Sequence, residues 1–176
     1  MTNRHDAGDA TEGRGRWNRH DAEDAKEGRD LEPPHRLDRL AHQVIGAALE
    51  VHRALGPGYL ESVYEEAMRV ELRRQGIPHV RQARFGTIYK GEVVGEHRID
   101  ILVDDELIVE LKAVDALAPI HTAQVISYLK AGALQLGLLI NFNVPVLKQG
   151  IRRVIWNPPF LGVLGAMAVD PSDPSL

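Results

Sequence analysis

The chain has 176 residues, a mass of 19.5 kDa, 44% hydrophobic residues, no cysteine and a formal charge of −4. The lack of cysteine excludes disulfides, thiolate metal sites and cysteine nucleophiles. With no signal-like or membrane-spanning apolar stretch, a cytoplasmic, non-membrane protein with one folded domain is expected. Residues 36–157 carry 15 Lys/Arg against 14 Asp/Glu, so the body is near neutral; a nucleic-acid partner is not excluded, because phosphate answers to local potential rather than total charge.

Residues 1–35 contain a near-repeat: NRHDAGDATEGRG from Asn3 and NRHDAEDAKEGRD from Asn18 agree at ten of thirteen positions. Almost nothing in either copy can pack into a core, which predicts a disordered leader ending near Pro33 and Pro34. Residues 36–157 are expected to form the domain. Residues 158–176 form a tail whose apolar stretch FLGVLGAMAV can dock in part, while its tip frays.

Apolar residues from Leu37 to Leu55 recur at helical spacing until Gly56-Pro57-Gly58 ends the run. A second helical pattern covers Leu60 to Gln75 and stops at Gly76 and Pro78. Strands follow over residues 80–90, 93–103 and 107–113, with Lys90-Gly91 as the first turn. A helix from Pro119 to Ala131 begins with proline where no amide partner is needed. A strand over 135–141 and a short one from Ile151 to Trp156 complete an α-α-β-β-β-α-β order. This predicts an α/β fold with a mixed central sheet flanked by helices on both faces.

The segment RIDILVDDELIVELKAV carries a geometric argument. If Asp104-Asp105-Glu106 is a three-residue hairpin loop, Val103 pairs with Leu107, Leu102 with Ile108 and Ile101 with Val109, and Asp100 falls opposite Glu110. The two carboxylates then share a face with Cβ atoms roughly 5 Å apart. Lys112 points to that face as well. Ile99, Ile101, Val103, Leu107, Val109 and Leu111 occupy the other face. Since Leu102 and Ile108 accompany the acids, the pair reads as a central, helix-covered hairpin.

Opposed carboxylates repel, and partial burial weakens the screening of that repulsion. Mg²⁺, with Mn²⁺ as a substitute, relieves the conflict: it accepts one or two carboxylates, keeps several waters and takes a substrate phosphate. Asp100, Glu110 and Lys112 are therefore the catalytic candidates, the acids as metal ligands and the lysine to orient water or stabilise phosphate charge. A solvent-facing charged edge is the competing reading.

Three helical segments add candidates. His52 lies on the apolar side of the first helix, where it is either a satisfied boundary histidine or a group near the substrate. On the second helix, Glu61 reads as a cap or surface acid, and Tyr64, three residues on, either bonds that carboxylate or packs. His121, Gln124 and Tyr128 form one polar stripe on the third. Zinc-ligand sets, helix-turn-helix patterns and serine-hydrolase triads find no support.

Asp100 followed by Glu110-Leu111-Lys112 resembles the D-x(n)-E-x-K signature of the PD-(D/E)XK nuclease superfamily. Gly58-Tyr59-Leu60-Glu61-Ser62-Val63-Tyr64, with VHRALGPGYLESVYEEA, LIVELKAV and GLLINFNVPVLKQGIRRV, resembles the small GxxExxY protein family over about residues 38–157. The resemblance implies a restriction-endonuclease-like α-β-β-β-α-β core. It further implies that Glu61 joins the metal site and that Gln124 and Tyr128, similar to the Q-x-x-x-Y element of RecB-type nucleases, lie by the substrate. The Leu111 backbone carbonyl completes the expected metal ligands.

The function expected is Mg²⁺-dependent hydrolysis of phosphodiester bonds in DNA or RNA, with DNA favoured. The alternatives are a catalytically inactive nuclease-fold protein that binds nucleic acid or regulates, and a structural protein-interaction module. A homodimer would enlarge the binding surface of so small a body, though no segment specifies an interface.

Overall fold

The computed structural model describes residues 33–157. Helix α1 (His35–Leu55) buries Leu37, Leu40, Ala41, Val44, Ala47, Ala48 and Val51, the three-and-four spacing of a core-facing stripe. It starts at His35, inside the stretch assigned to the leader; residues 1–32 of that leader and the tail fall outside the described residues. Gly56, with φ of 67°, ends the helix. Helix α2 (Glu61–Arg74) buries Tyr64, Met68 and Leu72, one residue per turn, and packs on α1.

Strands β1 (His79–Tyr89) and β2 (Glu92–Val103) form a hairpin closed by Lys90 and Gly91. Their φ values of 51° and 88° suit the twist of a two-residue hairpin turn. Strand β3 (Leu107–Lys112), helix α3 (Pro119–Gly132), strand β4 (Leu136–Asn141), helix α4 (Leu147–Gly150) and strand β5 (Ile151–Ile155) follow. Helix α4 was not anticipated; a single turn is too short to display a period.

The sheet order is β1-β2-β3-β4-β5. Among the described strands only β3 and β4, joined through α3, run parallel. On one face α1 and α2 cover Ile101, Val103, Leu107, Val109, Leu111, Leu136, Leu138 and Ile140. On the other, Val125, Tyr128 and Leu129 of α3 cover Leu102, Ile108, Leu139 and Val154. The mixed sheet flanked by helices on both faces is the architecture expected. At one end Gly150 lies so close to β4 that an added Cβ would stand 2.2 Å from the Asn141 carbonyl oxygen.

One face assignment is corrected. Ile99 belongs to the core under α3, whereas Ile101 and Val103 belong to the core under α1 and α2. The β1–β2 register includes Arg81↔Ile101 and Ala83↔Ile99, but the Gln82–Asp100 position between them is missing from the ladder. Gln82 has φ of 53°. A left-handed residue inside a strand breaks the side-to-side alternation. The sheet is therefore irregular where Asp100 stands.

Candidate active site

Strands β2 and β3 pair as Val103↔Leu107, Leu102↔Ile108 and Ile101↔Val109, the register expected from the three-residue turn. There the ladder stops. One step farther, the Leu111 N–H donates to Asp100 Oδ2 at 2.8 Å, so a side chain takes a donor that the next rung of the ladder would use. The strands open at the level of Asp100 and Glu110.

The opening leads into a cleft of about 580 Å³ between the start of α2 and the middle of α3. Helix α2 contributes Glu61, Ser62 and Glu65; the strands contribute Gln82, Arg98, Asp100, Glu110 and Lys112; α3 contributes Gln124 and Tyr128. Glu110 is only 2% exposed. Its Oε1 accepts a hydrogen bond from Lys112 Nζ at 2.6 Å, while Oε2 is buried with no hydrogen-bond partner. Lys112 Nζ also lies 4.0 Å from Glu61 Oε1.

Burial, then the charge of Asp100, pushes Glu110 up to about 7. Asp100 is raised by burial as well; the Leu111 N–H and Lys112 oppose this, and Glu61 and Glu65 add to it. Burial works against the Lys112 ammonium, but its hydrogen bond to Glu110 and the surrounding carboxylates outweigh that cost and hold its pKa above the ordinary value. Tyr128 is raised, first by burial and then by Glu110. Gln124 Nε2 donates to its hydroxyl. These groups interact as one electrostatic unit.

Three sequence candidates stand elsewhere. The Tyr64 hydroxyl donates to the Gly56 carbonyl at 2.7 Å and accepts the Tyr59 N–H at 3.2 Å, and its ring stacks on Phe142. It is fully buried and secures the Gly56–Tyr59 turn instead of bonding Glu61. His52 Nε2 lies 2.8 Å from the Val144 carbonyl and fastens a loop to α1. His121 Nδ1 accepts the Ala118 N–H at the start of α3. All three satisfy backbone groups that turns and helix ends leave over, and none lines the cleft.

Glu65, Arg98 and Gln82 line the cleft without having been singled out from sequence. Glu65 follows Glu61 by four, the spacing that puts two helical residues on one side. Arg98 precedes Asp100 by two, but strand parity is broken between Ile99 and Ile101, so that spacing does not place it. Gln82 has no such signal, because its placement depends on its left-handed backbone.

Among the described residues, no group of three or more His, Asp or Glu side chains forms a ready metal cage. The Asp100–Glu110 pair still fits a hard cation that keeps much of its water: two adjacent carboxylates are the donors it favours, and Glu110 Oε2 is an acceptor with nothing to accept.

A family model described as the PD-(D/E)XK nuclease superfamily matches residues 38–154. The matched stretch runs from α1 into β5 and includes Asp100, Glu110 and Lys112. No curated protein and no solved structure gives a significant match.

Proposed function

We propose, from the premise that this chain belongs to the PD-(D/E)XK nuclease superfamily, that its cleft hydrolyses phosphodiester bonds of a nucleic acid, with DNA the favoured substrate. The observation that carries this reading is the unpartnered, buried Glu110 Oε2 beside Asp100. In a protein interior such an oxygen calls for a proton or a cation.

Asp100 and Glu110 would hold Mg²⁺ or Mn²⁺, joined by the Leu111 carbonyl and by Glu61 at the mouth. The bound cation supplies positive charge to a phosphate oxygen and acidity to a water. Lys112, kept protonated by its carboxylate neighbours, orients the attacking water and balances charge growing on the phosphate. Leu111 N–H fixes Asp100 through Oδ2 and so limits its reorientation. Gln124 and Tyr128 offer hydrogen bonds and an aromatic face to the nucleic acid from α3.

Calorimetry with Mg²⁺ and Mn²⁺ tests the ligand assignment. Asp100→Ala and Glu110→Ala should each weaken binding at least tenfold; wild-type affinity in both would refute it. Cleavage of single-stranded, duplex, flapped and RNA substrates tests the reaction, with Lys112→Ala expected to lower the rate about a hundredfold.

A second reading, a nuclease-fold protein that binds nucleic acid without cutting it, draws on the engagement of Lys112 by Glu110 at 2.6 Å. Binding without cleavage under every metal condition would decide for it.

A further inference from the structure

We propose that Arg98, held in place by Gln82 and Glu65, is the residue with which the cleft grips the substrate's phosphate backbone, so that the strand enters over the β1–β2 side of the carboxylate pair. This rests on the nucleic-acid reading above and assigns it an entry side.

Charge within the cleft supplies the first argument. Four acids, Glu61, Glu65, Asp100 and Glu110, face two bases, Arg98 and Lys112. Lys112 is occupied by Glu110. Nearby arginines are occupied as well: Arg69 by Glu66, Arg81 by Glu65 and Glu66, and Arg84 by Glu96. Arg98 differs in that its Nε donates to the neutral Gln82 Oε1, and it forms no ion pair among the described residues. Its two terminal nitrogens keep their donors for a ligand, and the guanidinium fork matches two phosphate oxygens.

The second argument is Gln82 itself. Its φ of 53° is a conformation that glycine adopts without penalty and other residues adopt at a cost of about 1 kcal/mol or more. Gln82 stands in that conformation with both ends of its amide engaged. The Gln82 amide donates through Nε2 to Glu65 Oε1 at 2.7 Å and accepts Arg98 through Oε1. Glu65 is fixed in turn by Arg81 Nε at 2.8 Å. The relay from α2 through β1 to β2 holds Arg98 at the edge of the cleft without neutralising it, which an acid in place of Gln82 would do. Arg98 is the contact residue; Gln82 and Glu65 position it.

The test measures binding of labelled single-stranded DNA, duplex DNA and RNA in Ca²⁺, and cleavage in Mg²⁺, for wild type, Arg98→Gln and Gln82→Gly. Arg98→Gln should weaken binding about tenfold on every sequence and lower the slope of log affinity against log salt by about one, with KM raised and kcat within twofold. Gln82→Gly relaxes the backbone while deleting the amide. It should weaken binding about threefold to fivefold with Tm within a few degrees of wild type, a combination that a purely structural glutamine would not give. If wild type binds and cuts but both variants keep its KM and salt slope, the Arg98 assignment is overturned and the nuclease reading stands. If wild type binds no polynucleotide, both fall.

Discussion

Raising the pH of the metal-free protein should cost it folding stability, and replacing Glu110 by Gln should abolish most of that cost. Glu110 moves from an ordinary 4.5 to about 7, because of burial first and Asp100 second. The folded state therefore holds this proton more tightly than the unfolded chain. The resulting stability is fully present below pH 4.5 and is lost as the pH rises through 7; between pH 5 and pH 8 the loss is about 2.5 kcal/mol. Asp100 shifts in the same direction and can only steepen the fall. For a domain of this size that is roughly 10 °C of Tm. Thermal unfolding in EDTA at half-unit steps from pH 5 to 8.5, on wild type and Glu110→Gln, reads it directly. Subtracting the two curves removes every titration common to both. Lys112 stays charged throughout, so loss of its partner gives a constant offset. The gap should move in favour of the variant as pH rises, and Mg²⁺ at pH 8 should restore wild type alone. Parallel curves would refute the link between burial of Glu110 and the affinity of the site for positive charge.

Two further substitutions test the assignment of groups outside the cleft. Tyr64→Phe removes a buried hydroxyl that satisfies Gly56 and Tyr59. It should destabilise by about 1–2 kcal/mol in urea unfolding while leaving Mg²⁺ affinity unchanged; loss of metal binding at full stability would return Tyr64 to the site. Gly150→Ala drives a Cβ to 2.2 Å from the backbone oxygen of Asn141, which cannot swing aside as a side chain does. A loss of about 3 kcal/mol or more is expected, and a neutral result would place the chain differently at the α4–β5 junction.

The β2–β3 register was legible because a strand has a period of two and a three-residue turn leaves one way to pair its flanks. That step alone brings Asp100, Glu110 and Lys112 together. Helical stripes were less informative. They identify a face but not what meets it, so Gln124 and Tyr128 reach the cleft while His121, on the same stripe, binds the backbone at Ala118. His52 and Tyr64 were ambiguous for the same reason, and their partners, Val144 and Gly56, could not be read from spacing. Ile99 followed strand parity on paper and departed from it in the fold. The break at Gln82 is a backbone conformation, and glutamine carries no compositional sign of it.

The turn between β2 and β3 sets more than the path of the chain. Asp104 and Asp105 take left-handed φ values of 51° and 55°, and Arg36 of α1 grips both Asp104 and Glu106. Three residues and one clamp thus act as a ruler for two distances at once. The parity that seats Ile101 and Val109 in one core also sets Asp100 and Glu110 across from each other. A slip of one residue would turn the acids to opposite faces only by turning the aliphatic side chains out of both cores. The chemistry of the cleft and the packing of the sheet are written in the same register, so loss of one pairing would be felt as loss of the other.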